Sequence, residues 1–342
     1  MSTNLTLRVA GLSRKTTVRS VAVCLALAAI AIVCALLALT LGRHPLSLAE
    51  VVSAFLPGAD ARDRLVVVEW RAPRAAAALI FGACLGLSGA VFQVLLRNPL
   101  GSPDIIGLNS GAFTGVIGVI ILGGSGYLAY AAGAVIGGLG AAALVYLLAY
   151  RRGIQGFRFI IVGIALGAML NSVNTWFSVK ADLDVSLHAA VWGAGTLNIV
   201  DWPPVIAAGI IAALLFCLMP YAARRLRQME LGDDQAAILG IAVERTKVVL
   251  VVIGVGLTAL VTAVAGPISF VALASPQIAR RLTGTGGVDV VGSALVGAVL
   301  LTAADLLAQY AVPDAALPVG AVTVCLGGLY LVWLLFRESR KV

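Results

Sequence analysis

The residues able to do chemistry in this chain are few, and their spacing favours charge pairing and recognition over bond making. Its two histidines, His44 and His188, lie outside the apolar stretches. Neither sits in a set of carboxylates, imidazoles and thiols large enough for a catalytic or metal constellation. No G-x-x-x-x-G-K-[ST] occurs, so the chain lacks a phosphate-cradling loop and is not itself an ATPase. The five cysteines, Cys24, Cys34, Cys84, Cys217 and Cys325, all fall in apolar segments with no C-x-x-C pair, which reads as packing. The sequence therefore assigns no catalytic residue, no metal ligand and no bound cofactor.

Polar function collects in four places. The segment 228–247, QMELGDDQAAILGIAVERTK, is too polar to cross a bilayer and long for a mere connector. Within it Gly232, Asp233 and Asp234 can open a short helix, since aspartate caps free N–H groups and suits the positive helix terminus. Ala236, Ala237, Leu239 and Ile241 then offer an apolar patch, and Gly240 closes the turn. Arg71 and Arg74 bracket Pro73 at the start of an apolar run, where proline fits a first helical turn and arginines can snorkel. Asp305 lies within an apolar segment, where a carboxylate is costly and a functional candidate by default. Asn171 and Asn174, three apart on one helix face, can line a pathway or bond a neighbouring helix.

The elements that position these residues are membrane spans. At 61% hydrophobic and 12% charged, with mean hydropathy +1.03, the chain of 342 residues lies far from soluble composition. Its net charge of +8 comes from cations beside apolar spans, which excludes a nucleic-acid stripe. A window of roughly 20 apolar residues picks out ten segments, near 18–41, 72–95, 105–122, 127–149, 157–179, 203–222, 246–265, 268–283, 289–311 and 318–336. The first is too long for a signal-peptide core and no cleavage site follows it, so it reads as a retained span. The chain thus divides into a tail, 1–17, and a single membrane domain, 18–340. All Lys and Arg residues except Arg43, Arg62, Arg64, Arg71, Arg74 and Lys180 fall on one side, which places both termini in the cytoplasm. Gly82, Gly86 and Gly89, and likewise Gly133, Gly137 and Gly140, recur three or four apart, as closely packed helices require. The outer segment 180–202 carries Trp192 and Trp202, which suit an interfacial belt.

R-A-P-R at 71–74, L-G-L-S-G-A-V-F-Q at 85–93, R-N-P-L at 97–100, P-D-I-I-G at 103–107 and N-S-G-A at 109–112 together resemble the FecCD-type permeases. These are the membrane subunits of ATP-driven importers for ferric siderophores, haem and cobalamin. Further matches are E-L-G-D-D-Q-A-A-I-L-G from Glu230 to Gly240, G-P-I-S-F-V from Gly266, A-D-L-L-A from Ala304, and L-P-V-G from Leu317. The resemblance implies an all-α polytopic fold of about ten transmembrane helices, the type II ABC importer architecture, in the bacterial inner membrane. It implies that Glu230, Gly232, Asp233, Asp234, Ala236, Leu239 and Gly240 dock on a cytoplasmic ATPase, where ATP and Mg act. It implies that Arg71 and Arg74 meet glutamates of an extracytoplasmic binding protein, with Gln309 standing where some members carry a third arginine. Asp305 takes a packing role by the same resemblance, and Asn171 and Asn174 border the translocation pathway. Gln277 replaces a commoner histidine, which argues against a titrating role there. A second permease subunit, the ATPases and the binding protein are the implied partners. The motifs come nearest to the ferric-enterobactin permeases, with haem or cobalamin cargo as the alternative and an ion-coupled secondary transporter as the more distant one.

Overall fold

The computed structural model describes residues 4–9, 12–124, 126–150, 156–312 and 316–339. Two antiparallel strands, β1 (Asn4–Val9) and β2 (Leu12–Thr17), pair in the register Asn4 opposite Thr17. The tail expected over 1–17 is thus partly folded. Strict polar–apolar alternation over Asn4-Leu5-Thr6-Leu7-Arg8-Val9 is the strand signal that accounts for it.

Helices make up the rest: α1 (Val18–Thr40), α2 (Leu48–Ala54), α3 (Ala61–Arg64), α4 (Ala72–Leu96), α5 (Leu108–Ile121), α6 (Tyr127–Ala149) and α7 (Gly156–Lys180). They continue as α8 (Leu183–Gly193), α9 (Trp202–Met229), α10 (Asp233–Ile238), α11 (Val243–Ala265), α12 (Val271–Thr283), α13 (Val290–Tyr310) and α14 (Val319–Ser339). A π-helical stretch, Leu65–Arg71, joins α3 to α4, and a 3-10 turn, Asp104–Ile106, precedes α5.

Every one of the ten expected segments is helical, and seven helices among the described residues are long and apolar enough to cross a membrane. Three expected segments fall outside the seven: the last, whose apolar stretch runs over Val319–Trp333, and two that are shorter still. Helix α5, with 14 residues, and α12, with 13, reach only about 20 Å at 1.5 Å per residue, short of roughly 30 Å of hydrocarbon. Glycine interrupts the first, and Phe270 at a left-handed φ of 69° starts the second late.

Helix α4 is the centre of the bundle and is buried along most of its length. Its glycines explain the packing. A Cβ on Gly82 would stand 2.3 Å from the Gly297 carbonyl oxygen, and one on Gly297 would stand 2.1 Å from that of Gly82. Small residues thus let α4 and α13 meet backbone to backbone, where a membrane interior offers dispersion rather than hydrophobic driving force. Gly111 and Gly115 of α5 meet Gly133 and Gly137 of α6 in the same way, whereas Gly140 faces open space. Buried hydroxyls add polar glue: Ser88 donates to the Gly254 carbonyl at 2.7 Å and lies 2.8 Å from the Thr258 hydroxyl, joining α4 to α11.

Candidate functional site

At one end of the bundle α9 hands over to α10 and α11 through two glycines. Gly232 at φ 110° is the N-cap of α10, and Gly240 at φ 78° ends it, both conformations that favour glycine. The segment is a compact turn–helix–turn. Its apolar patch, however, differs from the sequence expectation. Ala236 and Ile241 are buried and anchor α10 to the body, while Leu231, Ala237, Ile238 and Leu239 stand exposed.

The acids of this segment are divided too. Glu230 accepts from Arg280 Nη2 at 2.5 Å and from the Val288 amide at 2.8 Å, so it faces α12 and the loop before α13. Asp233 accepts from Arg97 Nη2 at 2.7 Å and from Lys247 Nζ at 2.8 Å. It is turned toward the ends of α4 and α11, and no side-chain cap forms on α10. Asp234 is exposed. Of the seven residues expected to dock on an ATPase, Glu230, Asp233 and Ala236 face the protein body, Gly232 and Gly240 shape the turn, and Asp234 and Leu239 face outward.

At the opposite end, Arg71 and Arg74 do not project freely. Arg71 donates to the Leu39 carbonyl at 2.8 Å, one of the last carbonyls of α1, which lack intrahelical donors, and to the carbonyl of His44 in the loop beyond at 2.7 Å. Arg74 clasps Asp305 of α13 through Nε and Nη2, at 2.9 and 2.8 Å, and Gln309 Nε2 completes the carboxylate at 2.8 Å. The intramembrane carboxylate is therefore half of an ion pair. Glu69, Trp70, Arg71, Arg74, Asp201 and Gln309 line an open cavity of about 460 Å³ beside this pair. Trp202 donates its indole N–H to the Val68 carbonyl at 2.7 Å, so it is tied into the fold as well as placed near the interface.

Between the two ends, Asn174 is buried and bonds α5 twice: Thr114 donates to its Oδ1 at 2.8 Å and its Nδ2 donates to the Ser110 carbonyl at 3.1 Å. Exposed Asn171 accepts from the Ser110 hydroxyl at 3.1 Å. Of the two options open from sequence, the helix-bonding one is what the structure displays.

One structural anchor, present in the sequence reading only as part of the P-D-I-I-G motif, stands out here. Asp104 lies between α4 and α5, accepts from Asn109 Nδ2 at 2.9 Å through Oδ1, and accepts from the Phe270 amide at 3.3 Å through Oδ2. It fixes the point where the chain turns into α12. The signal was the P-D-x-x-G motif, with an acid placed between two apolar runs. Among the described residues no three His, Cys, Asp or Glu side chains converge as a metal site.

A bundle with seven helices long and apolar enough to cross a membrane, packed through small-residue interfaces, is the architecture of a multi-pass membrane protein. The profile of the FecCD transport family matches residues 30–337, and the chain belongs to that family. It is 46% identical over 318 residues to the ferric enterobactin transport system permease protein FepG of Escherichia coli, covering 93% of this chain and 96% of that protein. It is 35% identical to the iron(3+)-hydroxamate import system permease protein FhuG of Bacillus subtilis, covering 89% and 93% of the two chains. A solved metal-chelate type ABC transporter in an inward-facing conformation shares the fold, with a TM-score of 0.83 over 92% of this chain and 99% of its own at 24% identity.

Proposed function

We propose that the chain is the transmembrane permease subunit of an ATP-driven importer for ferric siderophores, with a catecholate chelate of the enterobactin type as cargo. The 46% identity to a ferric enterobactin permease over nearly the whole of both chains carries this reading. The cation asymmetry puts both termini and α10 in the cytoplasm and the Arg71–Arg74 cavity outside the bacterial inner membrane. There a binding protein delivers the chelate, and charged rim groups steer its docking. The exposed Leu231, Ile238 and Leu239 form the surface that an ATPase subunit covers; ATP and Mg act on that partner, and this chain makes and breaks no bonds. A second permease, a different paralogue of this chain, completes a central pathway that opens alternately to the two sides, with the Asn171 and Asn174 face beside it.

Uptake of radiolabelled ferric enterobactin in cells lacking this chain tests the reading. Uptake is expected to disappear, to return with wild type, and to stay absent with Leu239→Asp although the variant reaches the membrane. Undiminished ferric-enterobactin uptake in the deletion strain would overturn the cargo.

A further inference from the structure

Two carboxylates at the α9–α10 junction bond residues of neighbouring elements of the permease, and the contacts they make converge on one segment. Asp233 holds Arg97, the left-handed residue that ends α4 and begins the connector 97–107. Glu230 holds Arg280 near the end of α12 and the Val288 amide. Helix α12 in turn grips the same connector twice. Gln277 Nε2 donates to the Pro99 carbonyl at 2.8 Å, and the Phe270 amide at the α12 N-terminus donates to Asp104. Nine of its 13 residues are buried, so α12 is a short rigid rod set between α4 and α13 rather than a surface helix.

We infer that Glu230 is a transmission residue rather than an ATPase contact: it carries displacement of α10 to the α4–α5 connector through Arg280 and α12, the exposed Asp233–Arg97 pair adding little to that link. This rests on the reading of α10 as the ATPase-docking element and names what lies behind it. The physical case is that coupling needs contiguous, stiff contacts able to adopt two arrangements. Charge-assisted hydrogen bonds are the stiffest side-chain links available, and here they join elements otherwise separated by turns. Two features mark the Glu230 link as movable. Arg280 meets the carboxylate through Nη2 alone, and its Nε is buried with no acceptor among the described residues. The connector carries Pro99, Pro103 and two glycines, Gly101 and Gly107, so it can change path without unwinding a helix.

The test uses the assembled transporter in membrane vesicles, with its second permease, ATPase and binding protein, and the variants Glu230→Gln, Arg280→Gln, their double, and Leu239→Asp. Arg280 and Val288 donate to the same Glu230 oxygen, so Glu230→Gln keeps size and an acceptor for both and removes only the negative charge of the pair. Glu230→Gln and Arg280→Gln are each expected to retain the bound ATPase and its ATP hydrolysis while ferric-enterobactin uptake falls about tenfold. Because the same ion pair is lost either way, the double variant is expected to fall no further than the singles. Loss of the ATPase from Glu230→Gln would make Glu230 a docking contact and overturn the inference. So would unchanged uptake in both singles, or losses that multiply in the double. Leu239→Asp reports on the underlying reading separately: it is expected to shed the ATPase, and its retention would remove α10 as the docking element whatever the glutamine variants do.

Discussion

Arg74 and Asp305, 231 residues apart in sequence, face each other edge-on at the junction of α4 and α13, with Asp305 only 2% exposed and Arg74 15%. The pair sits at the outer-cavity end of the same helix–helix contact that Gly82 and Gly297 make possible. Under the proposed function, a binding-protein carboxylate approaching Arg74 would meet a guanidinium already held through two of its nitrogens. Arg71, whose partners are neutral carbonyls, retains an uncompensated charge and is the stronger attractor of the two.

Removing either member of a buried pair leaves the other charged and poorly solvated, at a cost of roughly 3–5 kcal/mol, whereas replacing both with apolar groups is much milder. Arg74→Leu and Asp305→Leu are each expected to lower the unfolding temperature of the detergent-solubilised protein substantially. The Arg74→Leu/Asp305→Leu double is expected to lie nearer wild type than either single. A double variant whose loss equals the sum of the singles would show that the two groups do not stabilise each other.

The α4–α13 contact gives a second expectation. Alanine at Gly82 must push the Gly297 backbone away, and alanine at Gly297 must push that of Gly82, since both added carbons fall inside 2.5 Å of a carbonyl oxygen. Overpacking of this kind costs about 1–3 kcal/mol. Gly140→Ala meets open space and is expected to be neutral, although Gly140 belongs to an equally regular glycine series. Thermal unfolding of the three variants in one detergent distinguishes them, and equal losses at all three positions would refute the close-approach account.

Sequence periodicity revealed which glycines share a face, because that depends only on the 3.6-residue helical repeat. It did not reveal which faces meet, so Gly133 and Gly137 looked the same as Gly140. The cost of burying Asp305 was equally legible, but its partner was not, since Arg74 reaches it only through the packing of two helices distant in sequence. Short elements defeated the reading more thoroughly. Helix α10 has six residues, too few for a periodic pattern to say that Ala236 turns inward and Ile238 outward. Asp104 entered the sequence reading only as part of the P-D-I-I-G motif, because its partner is distant in sequence: the left-handed Phe270, brought beside it by α11 and α12, gives its second oxygen a donor.

That second donor makes Asp104→Asn an informative change. Each carboxylate oxygen accepts one N–H, from Asn109 and from Phe270. An asparagine has one accepting oxygen, so one of the two donors must face an NH2 group, and an unsatisfied buried donor costs about 1–3 kcal/mol. Amide hydrogen exchange over 266–275 is expected to quicken in Asp104→Asn. Ser269→Ala, which removes only a 3.5 Å contact with Asn109, is expected to leave it unchanged. Equal exchange in Asp104→Asn and wild type would show that this carboxylate does not hold the start of α12.

Asp233 offers a test of asymmetry, since its two cations lie in different surroundings. The Lys247 side chain is 3% exposed and Arg97 is 53% exposed, and Glu244 reaches Lys247 at 3.4 Å. Exposed pairs are worth about 0–1 kcal/mol, so Arg97→Ala is expected to leave stability almost unchanged. Asp233→Ala takes from the buried ammonium its carboxylate at 2.8 Å and is expected to be worse by on the order of 2 kcal/mol. Lys247→Met keeps the aliphatic stem and removes the buried charge, so in the Asp233→Ala background it is expected to restore much of the lost stability. Chemical unfolding of the four proteins in micelles separates these outcomes: if Lys247→Met fails to rescue Asp233→Ala, the damage comes from the start of α10 itself rather than from the lost Lys247–Asp233 ion pair.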